Sequence, residues 1–453
     1  MNIIQTTTKY QTYPKYKPSG INWLGDIPER WEAKRFGFLF SFNKGLSITK
    51  ENLQDEGIPC VNYGEIHSKY GFEVNPLKNE LRCVSNSYLE NNQGSVLHYG
   101  NFVFADTSED VEGAGNFTYL NSHELTFAGY HTIVTRPKII INFRFLAYLF
   151  DSVSFRKQIR SMVAGIKVYS ITKDILKNCY VLLPPSLVQQ SIADFLDREI
   201  AKIDEMVAKK QKMMDLLKEK RQALITHAVT KGLDPKAKMK ASGIDWLGDI
   251  PEEWEVKRLR FLSDGFFQYG ANEEAVEENS ENPRYIRITD IKDNGDLYEE
   301  TFRSLPPEIA SQYLLEDGDI LFARSGATVG KTFRYKKSWG KCCYAGYLIK
   351  MTPDKKKIFP EFLYYFVQSH SYIEWKDSIF WQSTIQNISA EKYKNFIVCY
   401  PKIEEQKKIA DFLDRETAKI DEMMKKVGTQ IEKLQEYRQA LISNVVTGKV
   451  MVT

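Results

Sequence analysis

The sequence predicts an α+β protein: two mixed α/β domains separated by two long helices that pair as an antiparallel coiled coil, in a pseudo-twofold tandem duplication. Three observations predict it. "SGINWLGDIPERWEAKRFGFLF" begins at Ser19 and returns as "SGIDWLGDIPEEWEVKRLRFLS" at Ser242. "IADFLDREIAKIDEM" begins at Ile192 and returns as "IADFLDRETAKIDEM" at Ile409. Between these constant blocks lie two stretches of nearly equal length whose sequences diverge. The period, about 220 residues, is far above that of solenoid repeats, so a whole unit is duplicated, with a constant frame and a variable interior.

The expected order along the chain is a polar tail over 1–18, a first variable domain over 19–188 and a helix over 189–232. A linker over 233–241, a second variable domain over 242–402 and a second helix over 403–449 complete it. The helices announce themselves by pattern. No Pro or Gly occurs between Ile192 and Val229. Apolar side chains fall at Leu196, Ile200, Ile203, Val207, Met214, Leu217, Leu224 and Ala228, with Lys210 and Arg221 filling two seam positions. Steps alternating between three and four give the 3.5-residue period of a coiled coil. The second copy matches with Leu413, Ile420, Met424, Val427, Ile431, Leu434, Leu441 and Val445. Pro184-Pro185-Ser186 and Pro401 mark the starts, and Gly232 and Pro235 stop the first helix. A helix of ~40 residues is roughly 60 Å long. One such helix leaves a stripe unburied; two at equivalent positions invite pairing. The methionines read as seam fillers.

Composition narrows the function classes. At 453 residues the chain suits two to four domains. Its 62 Lys and Arg against 59 Asp and Glu leave a net charge of only +3, so any nucleic-acid role must rest on local patches. The six cysteines form no C-x-x-C pair, and the six histidines are dispersed, which predicts reduced, buried thiols and no metal site. The N-terminus is polar, without the apolar run of a signal peptide, and the greasiest stretch is interrupted by Asn142 and Arg144. A soluble, cytoplasmic protein is expected.

"LFARSGATVGKTFRYKK", residues 321–337, looks at first like a nucleotide-binding loop. Walker A requires G-x-x-x-x-G-K-[ST]; here only three residues separate Gly326 from Gly330, and Ser325 stands where the first glycine belongs. A P-loop must also open a helix. The residues after Lys331 are instead aromatic and β-rich, so a strand-turn-strand is expected. From Arg324 to Lys341 there are six Lys or Arg and no acid, interleaved with Tyr, Trp and Phe. Glycines let backbone approach a phosphate chain, while Arg and Lys neutralise it or read guanine edges. The acidic run at 271–282 is expected to face away from such a ligand.

These stretches, namely the doubled "SGI[ND]WLGDIPExWExKR", "LEDGDILFARSGATVGK", "STIQNISAEKYKNFIVCYP" and the doubled "IADFLDRExAKIDEM…RQALI", resemble the specificity (S) subunits of type I restriction-modification systems. The resemblance runs from about Ser19 to Gly448, in family order and in both halves. It implies two target recognition domains, each reading one half of a bipartite, asymmetric site on double-stranded DNA, with the helices setting the spacer. It implies two methyltransferase (M) subunits docked on the frame and restriction (R) subunits joined to them. The S subunit is then non-catalytic and binds no cofactor; S-adenosylmethionine, ATP and Mg are expected on the partners. In keeping, no G-x-G-x-x-G follows a strand, no Asn-Pro-Pro-aromatic or Asp-Pro-Pro-aromatic motif is present, and no nuclease cluster stands out. One departure is that the first domain carries "ADTSEDVEGAGN" where the second has its basic loop, so the two should read different half-sites.

The candidate DNA contacts in the second domain are Arg324, Ser325, Lys331 and Arg334 from the loop, and Arg287 and Thr289 from "YIRITDI". Gln382, Ser383, Thr384, Gln386 and Asn387 supply amides and hydroxyls suited to adenine. In the first domain they are Asn43 and Lys44 from "FNKGLS", Asn62 and Tyr63 from "VNYGEI" aligned with "IRITDI", and Lys167, Tyr169 and Ser170 from "AGIKVYSIT" aligned with "QSTIQNIS". Trp23, Trp31, Trp246 and Trp254 read as packing of the frame, and the outward "DFLDRE" and "AKIDEM" faces as docking candidates. Two rival classes remain: an NTP-using enzyme built on residues 326–332, and a coiled-coil scaffold with no nucleic-acid role.

Overall fold

The computed structural model describes residues 10–21, 23–163, 168–275, 279, 281–292, 295–326, 328–380 and 387–452. The chain divides into two units, residues 1–210 with 429–453, and residues 211–428. Each unit therefore combines one variable domain with parts of both long helices, Ser186–Lys231 and Ile403–Val446.

In the first unit a five-stranded sheet has the order Phe40–Lys44, Thr132–Pro137, Phe102–Ala105, Phe117–Leu120, Phe72–Val74, antiparallel except for the last, parallel pair. A four-stranded sheet carries the parallel pair Ile58–Val61 and Thr126–Ala128 at its centre. Phe102–Ala105 is buried along its whole length, as a strand covered on both faces must be. Helices Phe143–Asp151 and Val153–Met162 pack on the large sheet through Phe145, Phe150, Phe155 and Ile159. The helix caps follow from the sequence: the Asn142 and Ser152 side chains accept from the Phe145 and Phe155 amides.

The second unit repeats the plan with fewer strands. Gln268–Tyr269, Leu348–Met351, Ile320–Ala323 and Thr332–Arg334 form one antiparallel sheet, and Arg284–Ile286 pairs in parallel with Cys342–Tyr344. The frame is the same in both. Glu32–Arg35 pairs with Tyr180–Leu183, and Glu255–Arg258 with Ile397–Tyr400, each delivering the chain into a long helix.

The long helices pair inside each unit in the expected antiparallel sense. In the first, Ile192, Leu196, Ile200 and Ile203 share a core with Leu441, Ile442, Val445 and Val446. In the second, Ile225, Ala228 and Val229 share one with Ile409 and Leu413. Repeat-equivalent residues exchange partners: Arg438 reaches Asp204 at 2.9 Å in the first unit, and Arg221 reaches Asp421 at 2.9 Å in the second. Met214 and Met424 are half-buried, as seam fillers should be, but Met206, Met213 and Met423 are exposed, so the reading of the methionines as fillers holds only in part.

Several expectations need correcting at this level. The second Asp of "DFLDRE" faces inward, not out. Tyr148 donates to Asp197 at 2.6 Å and Tyr365 to Asp414 at 2.5 Å, and burial followed by these carboxylates pushes both phenols up. A carboxylate beside a buried hydroxyl satisfies a donor that would otherwise be stranded. Asp204 and Asp421 of "AKIDEM" are held by the arginines just named. Trp31 and Trp254 are frame packing, 1% and 2% exposed, whereas Trp23 is largely exposed. All six cysteines are buried and unpaired, and burial pushes the Cys399 thiol up to about 12.

Each long helix ends against the other repeat's frame at a left-handed glycine. Gly232 has φ +77° and Gly448 φ +74°. A Cβ on Gly232 would come no closer than 3.3 Å to Trp254 and 3.4 Å to Glu405, while one on Gly448 would lie 2.4 Å from the Pro28 ring. Alanine at either position should cost roughly 1–2 kcal/mol for the backbone, and Gly448→Ala measurably more, because a proline ring cannot yield. Urea unfolding of the two variants checks the order. Equal losses would mean that Pro28 moves freely.

Candidate nucleic-acid interface

In the second unit Ile320 pairs with Arg334 and Phe322 with Thr332, so a strand, not a helix, follows Gly330-Lys331. The strand-turn-strand reading holds and the phosphate cradle of a P-loop is not formed. The turn is tied by the Gly330 amide to the Ala323 carbonyl (2.9 Å) and by the Tyr372 hydroxyl to the Gly330 carbonyl (2.8 Å). Gly330 has φ +82°, a conformation that favours glycine, and a Cβ there would lie 2.3 Å from Lys376 Cδ, so a side chain would also have to displace that lysine.

Arg324, Ser325 and Asn387 are brought together. Ser325 bridges Asn387, and the Ile388 amide donates to the Arg324 carbonyl at 2.9 Å. The Arg324 guanidinium lies over the Tyr269 ring, 4.8 Å from its centre, and its Nε meets no hydrogen-bond partner. Two hollows flank the loop. One of about 720 Å³ is lined by Arg287, Thr289, Thr328 and Tyr347, with Glu273 and Glu274 on its wall. The acidic run therefore does not face away; its first residues border the same hollow. The other, about 290 Å³, is lined by Arg221, Lys292, Lys331 and Lys376, with no acid among the described residues of its wall.

Two predicted residues are committed elsewhere. Arg287 N–H donates to Asp290 at 2.8 Å and its guanidinium grips the same carboxylate at 2.7 and 3.1 Å, which raises its pKa. Arg334 pairs with Glu361 at 2.7 Å on a half-buried strand. Gln382, Ser383, Thr384 and Gln386, and Lys167 of the first unit, lie outside the described residues.

In the first unit Tyr169 and Ser170 pair with Ser108 and Thr107, the counterpart of the Ser325–Asn387 bridge. Tyr63 packs edge-on to Tyr130 and His131, with centroids 5.6 and 5.3 Å apart. His67 donates to the Thr107 carbonyl at 2.9 Å and accepts from Asn116 at 2.8 Å, tying this aromatic group to the paired strands. Lys44 is exposed. Burial, then the charges of Lys44 and Lys177, lower the pKa of Lys173, so three ammonium groups share one patch. Asn43 is occupied by Arg136, which also donates to the Gly94 and Val96 carbonyls. Asn62 is 2% exposed and caps helix Tyr63–Ser68 in a box with Glu65. It occupies the position that Arg287 holds in the second unit: each follows a parallel strand and donates its own backbone amide to the acid three residues on, Glu65 or Asp290, at the start of a helical turn. The alignment of "VNYGEI" with "IRITDI" is sound, but the place it marks is a cap.

Sequence reasoning passes over Asp106, His131, Tyr269 and Tyr347. A signal exists for the last: "Phe-Ala-Gly-Tyr" ends at Tyr130 and "Tyr-Ala-Gly-Tyr" at Tyr347, in corresponding places. Both glycines are forced, since a Cβ on Gly129 or Gly346 would lie 1.9 Å from the side-chain oxygen of Asn62 or Asn272.

Among the described residues no helix is long and apolar enough to cross a membrane, and no group of His, Cys, Asp or Glu could hold a metal ion. A family model described as the type I restriction modification DNA specificity domain matches residues 28–213 and again 251–433. The chain is similar to the type I restriction enzyme EcoKI specificity subunit of Escherichia coli strain K12, with 23% identity over 94% of this chain and 90% of that one. It is similar to the MjaVIII specificity subunit of Methanocaldococcus jannaschii, with 23% identity over 94% of both. Its fold matches a solved chain titled for complex assembly and conformational transition of the type I R-M system, with TM-score 0.69, 17% identity and coverage of 93% and 98%.

Proposed function

This chain belongs to the type I restriction-modification DNA specificity family, and on that premise we propose that each of its two units reads one half of a bipartite, asymmetric DNA sequence. Its role is DNA sequence specificity. The observation that carries the two-reader proposal is one device built twice with different side chains. A strand end leads to a bridged pair, Thr107–Ser170 or Ser325–Asn387, beside a Gly-Tyr turn, on frames that are nearly identical.

The contact set follows from placement. Lys44, Lys173 and Lys177, and the cleft of Arg221, Lys292, Lys331 and Lys376, suit phosphates, although Arg221 and Lys177 also pair with Asp421 and Asp174. Arg324, Ser325, Thr289, Asn387, Tyr63, Tyr169 and Ser170 suit the groove, while Asn43, Asn62, Arg287 and Arg334 serve to hold the surface in shape. In this reading the helices set the spacer and dock two methyltransferase subunits, restriction subunits join them, and the chain itself performs no chemistry. S-adenosylmethionine, ATP and Mg then belong to those partners.

The test is an adenine-methylation map of the host with and without this gene. One gapped, asymmetric motif should vanish on deletion, and exchanging residues 264–400 for those of a relative should change one half of it only. A change in both halves, or in neither, would overturn the two-reader proposal.

A further inference from the structure

We propose that Asp106 and Arg324 determine specificity at one equivalent position of the two half-sites, Arg324 facing a guanine and Asp106 a cytosine. The inference rests on the reading that the two units are base readers. The equivalence is built from backbone. Each residue directly follows the buried central strand of its sheet, Phe102–Ala105 or Ile320–Ala323. Asp106 N–H donates to the His131 carbonyl at 3.1 Å, and Arg324 N–H to the Tyr347 carbonyl at 3.0 Å. The Asp106 carbonyl accepts from the Ile171 amide at 2.8 Å, and that of Arg324 from the Ile388 amide at 2.9 Å. The next residue enters the bridged pair in both units. Two backbones fixed on both sides by the same bonds present opposite charges.

Each side chain is held ready rather than spent. The Arg324 guanidinium rests on Tyr269, whose hydroxyl is itself fixed by the Ala390 amide at 3.0 Å. Among the described residues it has no carboxylate partner, unlike Arg287 and Arg334. A planar fork stacked on a ring and lacking a partner is the group that takes guanine O6 and N7 together. Asp106 accepts at Oδ1 from Thr107 (2.8 Å) and from His131 (3.2 Å), which leaves Oδ2 open among the described residues. His131 has φ +55°, a left-handed conformation unusual for a residue with a Cβ. Of the other acids of this loop, Asp110 accepts from the Gly113 amide at 2.6 Å and Glu112 pairs with Arg160 at 2.8 Å, while Glu109 is exposed.

Charge decides what Asp106 can face. A carboxylate is repelled by phosphate oxygens, so on a DNA-reading surface it must meet a donor on a base edge. With a single open oxygen it makes one contact, which suits the cytosine N4 amine; adenine is read by the two-point fork of an amide. Both units then read one G·C pair at this place, in opposite orientation.

The experiment expresses the full chain with its methyltransferase subunits and maps methylated motifs for the wild type, Arg324→Gln and Asp106→Asn. Both substitutions nearly keep shape. Arg324→Gln should relax one G·C position, or move it to A·T, by about 10-fold or more in preference, in one half only. Asp106→Asn should do the same in the other half. A map unchanged in both variants overturns the proposal, as does a uniform fall over all sites, which marks a phosphate contact. If a variant abolishes methylation, binding of the purified complex to DNA randomised at each position decides: loss confined to one position supports the proposal, and uniform loss overturns it. Deleting the whole chain separates the two levels. An unchanged map on deletion removes the base-reading premise, whereas a map altered by deletion but not by either variant removes only this inference.

Discussion

Phe150→Ala should destabilise the first unit by about 3–5 kcal/mol and leave the second intact. Phe150 lies on helix Phe143–Asp151 and is fully buried. Its ring contacts six others: Phe36, Phe40, Phe102, Phe104, Phe117 and Phe155, with centroids from 4.6 to 6.1 Å away. Three of these rings come from the central strands, two from the entry segment after the frame and one from the next helix. Removing the hub opens a cavity that six neighbours must try to fill, and close-packed rings wedged against one another cannot all swing inward. The second unit has its own core around Trp254, Phe362 and Phe366. A chain with two cores has no single unfolding free energy, so the readout is hydrogen exchange along the whole chain. Protection should fall at Phe102–Ala105 and persist at Ile320–Ala323. Equal loss in both places would refute the independence of the two cores.

Gln406→Ala should cost about 3 kcal/mol or more, in the second unit. Gln406 is fully buried at the start of the second long helix. Its side-chain oxygen accepts from the Phe359 amide at 2.7 Å, and its nitrogen donates to the carbonyls of Lys357 (3.0 Å) and Pro401 (2.8 Å). Alanine leaves three backbone groups without this partner, that of Pro401 buried and those of Phe359 and Lys357 part-buried, and a stranded buried group costs roughly 1–3 kcal/mol. Gln189 does the same work in the first unit, taking the Asn142 amide at 3.0 Å and giving to the Pro184 carbonyl at 2.8 Å. Gln406→Glu tests whether volume or donation matters. It keeps the acceptor, loses both donations and buries a charge, so it should be nearly as damaging. Thermal unfolding of both variants, with exchange at the Phe359 amide, checks this; a loss below about 0.5 kcal/mol for Ala would show that the side chain is not what joins helix to domain.

The frame is legible because repetition exposes it. Two copies of one block, with Trp31 and Trp254 at the same offset, need no structure to be recognised as packing. The seam of Leu196, Ile200 and Ile203 can be read from spacing alone. The acids of "DFLDRE" cannot. Whether Asp197 faces solvent or Tyr148 depends on a domain that lies some fifty residues away in sequence. The site is legible as a region and not as a set of side chains. Residue type draws attention to Arg287 and Asn62, yet both sit at a strand end where orphan amides demand a cap, and that demand is set by a parallel pairing invisible in a linear pattern. Asp106 escapes notice for the opposite reason: an acid in an acidic loop looks hostile to DNA until its backbone is seen to be held as that of Arg324 is in the second unit.

The first unit contains residues 429–453, and its core includes Leu441, Ile442, Val445, Val446, Val450 and Val452. A ribosome making this chain finishes the second unit's residues before it supplies the last of the first unit's. The amino-terminal reader is thus the later of the two to be completed, although most of it is synthesised first. During translation the apolar flank formed by Ile192, Leu196, Ile200 and Ile203 waits without its cover for more than two hundred codons. A nonsense mutation in the codons of the second long helix after Gly428 would accordingly damage the first unit, encoded far upstream.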